Sequence, residues 1–253
     1  MVEIKTPSEL TAMREAGRVV ARALAAVRAR AAVGVRLAEL DEVAASVIAD
    51  AGAKPAFLHY QPGFAPSPFP AVICASVNEV IVHGIPDASR LRDGDLVSID
   101  CGAYLDGWAG DSAISFTVGR AEVADAALVS ACERALAAGI AAAVPGNRMG
   151  DIGAAIARGA AEGGYGIMED FGGHGIGRKM HEDPGVPNRG RPGRGMVLRE
   201  GMALAIEPMF TAGSGRYGVL ADGWGLHTVD GSRAAHTEHS IAVAPTPVVL
   251  TAL

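Results

Sequence analysis

Residues 95–118 read DLVSIDCGAYLDGWAGDSAISFTV and contain the clearest fold signal in the chain. Two runs rich in apolar residues, 95–105 and 108–118, flank the dipeptide Asp106-Gly107. A two-residue Asp-Gly connection between strand-like runs is typical of a β-hairpin, because both turn positions need positive φ angles. The sequence therefore predicts two long antiparallel strands whose register is set by this turn.

Two acidic residues, Asp100 and Asp111, fall on one face of the predicted hairpin. The turn places Asp100 opposite Ala113 and Asp111 opposite Gly102, which makes the two carboxylates diagonal neighbours about 7–8 Å apart at the backbone. Among apolar neighbours the two charges would repel each other and lose solvation. A bound cation would remove both penalties; the alternative is a wet face on which both acids are ordinary surface groups.

Helical and strand-like patterns alternate on both sides of the hairpin. Thr6, Pro7 and Glu9 form a capping signal for a first helix, and apolar periodicity predicts a second helix at 37–51. Four prolines within nine residues of the stretch 60–70 argue against a regular element there. The remaining predicted elements are strands at 71–77 and 79–82, helices at 126–143 and from a cap at Asn147 to 163, a loop region at 172–195, and strands at 202–210, 217–221, 225–229 and 236–243.

This order of elements favours an α+β fold with a mostly antiparallel sheet. Helices and hairpins interleave without the strand–helix–strand rhythm of a doubly wound fold. Because no stretch lacks both core residues and turn chemistry, we expect residues 1–253 to form a single domain.

Composition excludes several classes of protein. A net charge of −6 argues against a general nucleic-acid binder, and no apolar run approaches the ~18–20 residues of a membrane helix. The N-terminus lacks the basic flank and apolar block of a signal peptide. Three irregularly spaced cysteines (Cys74, Cys101 and Cys132) suit neither a disulfide framework nor a thiolate zinc site, so we expect reduced thiols in a cytoplasmic protein.

Three histidines occur beside glycine or proline at predicted strand ends. His174 lies among four glycines in residues 171–177, His181 follows seven residues later, and His83 comes directly after a strand. Glycines let a ligand approach the backbone closely. The alternative is that each histidine is a structural hydrogen-bonding group. The glycine-rich stretch is a weak match to a dinucleotide-binding loop, because a proline-rich segment rather than a helix follows it.

Two glutamates complete the set of candidate residues. Glu207 is the one acid in an apolar strand, and Pro208 cannot donate a ladder hydrogen bond, so Glu207 is expected at a strand end. Glu238 lies in another largely apolar strand, where an acid is rarely left unpaired. A salt bridge to an arginine is the alternative. Two aspartates, two glutamates and a histidine form an oxygen-rich set that suits two divalent first-row metal ions.

Five short motifs occur in order along nearly the whole chain. They are NEVIVHGIP at 78–86, DLVSID at 95–100 with Asp111 eleven residues on, GHGIG at 173–177 with HE at 181–182, AIEP at 205–208, and TEH at 237–239. Together they resemble the type I methionine aminopeptidases, members of the M24 metallopeptidases. The resemblance implies the pita-bread fold, in which two pseudo-symmetric halves, with a curved sheet and helices on its outer face, surround a central metal site.

The resemblance also implies roles for individual residues. Asp111 and Glu238 would bridge two divalent ions, Asp100 would bind one ion, and His174 and Glu207 would bind the other. Glu207 would in addition transfer a proton during catalysis, while His83 and His181 would be catalytic histidines that contact the substrate. The residues expected to line the substrate cleft are Phe57, Tyr60, Phe69, Cys74 and Trp224.

The implied function is removal of the N-terminal methionine from nascent proteins and peptides when the second residue is small. The nucleophile would be a hydroxide activated between two ions, for which Co, Mn, Fe, Zn and Ni are all suitable. The enzyme would be a cytoplasmic monomer with transient ribosome contact and neither membrane nor nucleic-acid specificity. Two alternatives are a proline-directed aminopeptidase of the same fold and a metal-free binding protein.

Overall fold

The computed structural model describes residues 2–63 and 65–253. Met1, the first residue of the predicted domain, and Phe64, in the proline-rich stretch, lie outside the described residues. The helices are α1 (Pro7–Arg30), α2 (Leu37–Asp50), α3 (Val123–Ala142) and α4 (Met149–Gly163). None of the helices in these two ranges combines the length and the hydropathy needed to cross a membrane.

The strands of the first half are β1 (Lys54–Pro55), β2 (Ile73–Val77), β3 (Val80–Val82), β4 (Leu96–Leu105) and β5 (Trp108–Thr117). Those of the second half are β6 (Gly166–Ile167), β7 (Gly172–Gly175), β8 (Glu182–Pro187), β9 (Ala203–Ile206), β10 (Met209–Thr211), β11 (Tyr217–Val219), β12 (Leu226–Thr228), β13 (Ala234–His236), β14 (Glu238–Ala242) and β15 (Val248–Val249).

A central antiparallel sheet joins the two halves of the chain. Its strand order is β1-β4-β5-β14-β9-β7-β8, with β2 paired to β4 and β15 paired to β14. Two small sheets, β13-β10-β6 and β11-β12-β3, lie beside it. Helices α1 and α2 pack on the first half, where α1 contacts β4 and β5, and α3 packs against α4 and the second half. The prediction of an α+β fold with a mostly antiparallel sheet is confirmed.

The predicted hairpin has the predicted register. Asp106 and Gly107 form the turn with φ angles of 50° and 77°. Asp100 pairs with Ala113 and Gly102 pairs with Asp111 across β4 and β5. The predicted cap of α1 is also present, since Thr6 and Glu9 form a capping box.

Helix α1 approaches the sheet so closely that glycine is required on both sides. A Cβ atom on Gly17 would overlap the carbonyl oxygen of Leu250, and one on Gly110 of β5 would lie 2.8 Å from the backbone of Gly17. Gly110 lets the helix lie directly on the hairpin that carries Asp100 and Asp111, and Gly17 leaves room for the segment that follows β15.

Gly17→Ala is expected to lower the free energy of unfolding by about 1–3 kcal/mol, because the added methyl group must push α1 away from backbone atoms. Urea denaturation would measure the change. Gly185→Ala is the matched control, because its Cβ would meet no atom within 4 Å, and we expect it to change stability by less than ~0.5 kcal/mol. Equal stability of the two variants would contradict this account of the packing.

The prediction of one loop over 172–195 is wrong for its first part, which contains β7 and β8. The glycines of β7 permit this pairing because neighbouring backbone comes too close for side chains. A Cβ on Gly173 would overlap the carbonyl oxygen of Ala205, and one on Gly175 would overlap that of Asp183. Glycine here marks a crowded strand between two partners rather than a loop.

Other predicted boundaries also shift. The strand predicted at 202–210 is interrupted at Glu207 and Pro208, as the missing proline N–H requires. The strand predicted at 236–243 is interrupted at Thr237, whose N–H donates to the Pro208 carbonyl. Asn147 is not the cap of α4. Its side chain donates to the carbonyl of Ala142, and the cap position is Arg148.

Candidate metal centre

Five neighbouring strands of the central sheet each bring one candidate ligand to the same place. Asp100 lies on β4, Asp111 on β5, Glu238 at the start of β14, Glu207 directly after β9, and His174 on β7. The order of these strands in the sheet is β4-β5-β14-β9-β7. Residues distant in sequence thus become neighbours because their strands are neighbours.

The ligand atoms are close enough to share a cation. One ligand atom from each of Asp111, His174 and Glu238 lies within 4.8 Å of the others. Nε2 of His174 is 3.7 Å from Oδ2 of Asp111 and 3.8 Å from Oε1 of Glu207. The Asp100 and Asp111 carboxylates are close enough to shift each other's pKa, so the diagonal pair predicted on the hairpin does converge.

Burying these carboxylates together costs free energy unless a positive charge lies beside them. Asp111 and Glu238 are only 4% and 2% exposed. Removal from water raises the pKa of Asp100 to about 7. Removal from water, followed by the charge of the neighbouring acids, raises the pKa values of Asp111 and Glu238 well above their usual range. The alternative of a wet face with ordinary surface acids is therefore excluded.

Three buried carboxylate oxygens have no hydrogen-bond partner among the described residues: Oδ1 of Asp100, Oδ1 of Asp111 and Oε1 of Glu238. Within the described residues, Glu207 is paired with His174 and His236 and not with an arginine. Unpartnered buried oxygens beside an imidazole nitrogen are what a divalent cation would satisfy. The residues present therefore fit a metal site.

Surrounding polar groups orient several members of the cluster. Nδ1 of His174 lies 2.9 Å from the carbonyl oxygen of Gly175, which leaves Nε2 for the centre of the cluster. Asn188 donates to the carbonyl of Glu207, and the Ser112 hydroxyl donates to the carbonyl of Glu238. Such contacts fix the backbone from which the ligands project.

The two predicted substrate histidines flank the cluster. His83 has a φ angle of 60° and lies edge-on to Trp224 and Phe171. Removal from water lowers its pKa to about 4. His181 stacks on Tyr60 with ring centroids 5.3 Å apart. Partial removal from water and then the nearby His174 lower the pKa of His181 to about 4, so both rings are neutral at neutral pH.

A cavity of about 260 Å³ opens onto this cluster. The structure brings every sequence-predicted site residue to its wall, where the five candidate ligands are joined by Phe57, Tyr60, Phe69, Cys74, His83, His181 and Trp224. The Cys74 thiol is buried beside acidic groups, which raises its pKa well above the usual value. It is therefore a neutral wall group and not a nucleophile.

Sequence reasoning missed two wall residues and one buried histidine. Phe171 and Gly172 line the cavity, and they directly precede the GHGIG motif. His236 lies behind the cavity, with its Nε2 3.4 Å from Oε2 of Glu207. Its position two residues before Glu238 was visible in the sequence, but only the fold brings it to Glu207.

The turn that carries His181 is held from the N-terminal segment. Nζ of Lys5 is buried and lies 2.9 Å from Oε2 of Glu182 and 2.7 Å from Oε2 of Glu3. The other oxygen of Glu182 accepts from the backbone N–H of Lys179. The Tyr104 hydroxyl accepts from the N–H of Met180. These contacts fix the residues on either side of His181.

Lys5→Met is expected to lower the free energy of unfolding by about 2 kcal/mol, because Glu182 loses a charged hydrogen-bond partner with little compensating water. Thermal denaturation would measure it. Lys179→Met removes a lysine whose side chain is exposed in the same turn, so it should change stability by less than ~0.5 kcal/mol. A Lys5→Met protein as stable as the wild type would show that the ion pair does not hold the turn.

The fold and the carboxylate–histidine cluster define a metal-dependent peptidase. The profile of metallopeptidase family M24 matches residues 11–245, and the chain belongs to that family. Its relatives include methionine aminopeptidase 1 of Mycobacterium tuberculosis (strain CDC 1551 / Oshkosh), which is 54% identical over 250 residues, 96% of this chain and 92% of that protein.

Solved structures agree on the architecture. A crystal structure of methionine aminopeptidase from Thermotoga maritima has a TM-score of 0.95 and 40% identity, and the match covers 100% of both chains. Prolidase from Pyrococcus furiosus has a TM-score of 0.79 at 21% identity, covering 99% of this chain but 65% of that chain. The latter likeness concerns the fold alone. The pita-bread fold implied by the sequence motifs is confirmed.

Proposed function

We propose that this protein removes the N-terminal methionine from peptides and nascent proteins whose second residue is small. The observation that carries the proposal is the convergence of four carboxylates and an imidazole from five adjacent strands at the wall of an apolar cavity. High identity to a methionine aminopeptidase along nearly the full chain supports the same activity.

The proposed ligands are those expected from the sequence. Asp100, Asp111, His174, Glu207 and Glu238 would together hold two divalent ions. The burial of Asp111 and Glu238 and the unpartnered oxygens of Asp100, Asp111 and Glu238 support this proposal. Two such ions would supply a water that is a nucleophile near neutral pH and would polarise the scissile carbonyl.

The side chains around the cluster would handle protons and orient the peptide. The Glu207 carboxylate would take the proton of the attacking water and deliver it to the leaving amine. His181, neutral because its pKa is near 4, would donate an N–H to the oxygen of the scissile carbonyl as negative charge develops there. His83 has a buried Nδ1 without a partner among the described residues, and it would hold the peptide backbone.

The cavity supports a preference for methionine. Phe57, Phe69, Cys74 and Trp224 give it apolar and sulfur-containing walls. An apolar aromatic pocket favours a flexible thioether. Selection of a small second residue would then be steric, at the cavity mouth beside Tyr60 and His181.

We further propose that residues 1–253 form one catalytic domain that acts as a cytoplasmic monomer and contacts the ribosome transiently while its substrates emerge. The continuous central sheet supports the single domain, because it draws strands from both halves of the chain. Sedimentation of the purified protein and co-sedimentation with translating ribosomes would test the last two points.

A peptide panel tests the proposed activity. We expect cleavage of Met-Ala-Ser, at least tenfold slower cleavage of Met-Leu-Ser because of its larger second residue, and little cleavage of Ala-Pro-Ser. Each peptide is assayed with metal-free protein to which Mn²⁺, Co²⁺, Fe²⁺, Ni²⁺ or Zn²⁺ is returned in turn. Preferential cleavage of Ala-Pro-Ser would favour a proline-directed peptidase, and no cleavage with any ion would favour a binding protein.

A further inference from the structure

We propose that His236 is a positioning residue whose imidazole holds one oxygen of Glu207, so that the other oxygen faces the metal centre. This inference rests on the proposed function, since it concerns Glu207 as a ligand and proton carrier. His236 does not line the cavity, so we do not expect it to contact the substrate. It would act through Glu207 alone.

The two oxygens of Glu207 lie between two imidazoles. Oε1 faces His174, with 3.8 Å between Oε1 and Nε2. Oε2 faces His236, with 3.4 Å between Oε2 and Nε2. A carboxylate held on one oxygen cannot rotate freely about its final bond. The other oxygen is then kept on the side where His174 also points.

His236 is itself fixed firmly enough to act as an anchor. Its backbone N–H lies 3.0 Å from the hydroxyl oxygen of Ser115 and 3.3 Å from that of Ser98, and its carbonyl accepts from Ser115. On its other side, His236 pairs with Met209 of β10, two residues after Glu207. Strands β4, β5 and β10 therefore hold His236 opposite the interruption between β9 and β10, where Glu207 lies.

The surroundings of the ring point to the same role. The side chain of His236 is 3% exposed, and its buried Nε2 has no well-aligned hydrogen bond within the part of the chain that the structure describes. An unsatisfied buried nitrogen costs about 1–3 kcal/mol. Glu207 is the acceptor that it faces. A purely apolar side chain would avoid that cost, so a polar contact explains why the position carries a histidine.

Three substitutions separate hydrogen bonding from packing. Gln places an amide N–H near the position of the histidine Nε2, whereas the shorter Asn does not reach it, and Leu fills the space without a donor. Calorimetric titration of each metal-free protein with Mn²⁺ gives a readout that does not depend on turnover. We expect His236→Leu and His236→Asn to weaken Mn²⁺ binding by about 10–100-fold, and His236→Gln to stay within about threefold of wild type.

A matched control removes a histidine that does not contact the cluster. Nδ1 of His227 on β12 lies 3.1 Å from the carbonyl oxygen of Thr228 and the residue does not line the cavity, so His227→Leu should leave Mn²⁺ affinity unchanged. Wild-type affinity in His236→Asn, or equal weakening in His236→Gln and His236→Asn, would overturn the proposal. The Gln and Asn pair decides the question even if His236→Leu does not fold. Failure of the wild type to bind Mn²⁺ would instead contradict the proposed function.

Discussion

Glu207→Gln is expected to lower kcat/KM for Met-Ala-Ser by about 10³-fold while the protein stays folded, because a glutamine cannot take up and release the proton that the reaction moves. The amide is the same size as the carboxylate and removes one charge from a group of buried acids. We therefore expect a melting temperature no lower than that of the wild type in the metal-free state.

Peptide-cleavage kinetics and thermal denaturation together measure this prediction. Glu162→Gln is the matched control, because Glu162 is an exposed acid near the end of α4 and should be replaceable without effect on either quantity. Activity of Glu207→Gln within tenfold of the wild type would remove Glu207 from proton transfer and leave it, at most, a ligand.

His181→Ala should reduce kcat by about 10²–10³-fold, the usual effect of removing one donor to a developing oxyanion. The loss of stability should be small, because His181 is exposed at the cavity mouth and its ring contacts only the rings of His174 and Tyr60 among the described residues. Steady-state kinetics would give kcat and KM, and thermal denaturation would give stability.

A histidine that does not line the cavity provides the control for His181→Ala. His227 on β12 is partly buried but does not line the cavity, so His227→Ala should retain the wild-type kcat. A large fall in the melting temperature of His181→Ala, with kcat per folded molecule unchanged, would make His181 a structural residue.

The hairpin shows why part of the site was predictable from local sequence. Asp106-Gly107 admits one tight turn geometry, and a two-residue turn sets the register of every residue pair in β4 and β5. Asp100 and Asp111 could therefore be placed on one face without knowledge of the rest of the fold. The position of Glu207 at a strand end followed in the same way from the missing N–H of Pro208.

Other features depended on contacts between distant segments. The glycines of residues 172–175 indicate a loop when considered alone, yet β8 and β9 pack so tightly on either side that they form a strand. His236 carries no local signal of its role, because its neighbours Glu207, Ser98 and Ser115 come from other strands. The convergence of the five ligands likewise depends on the order of the strands in the sheet. The family motifs implied this convergence, but the apolar periodicity of the sequence did not.

The central claim is that the five residues hold divalent ions on which catalysis depends. Chelator-treated protein should have less than about 1% of the original activity on Met-Ala-Ser, and titration with Mn²⁺ should restore it. A free ion concentration 100 times the dissociation constant should also stabilise the fold by about 2.7 kcal/mol for each site that is filled.

Elemental analysis of the protein during that titration, with activity measured on the same samples, is the most direct test. We predict two ions per chain at saturation and activity that rises with the bound ion. Full activity in protein shown to be free of transition metals, or saturating activity without any bound ion, would contradict the claim.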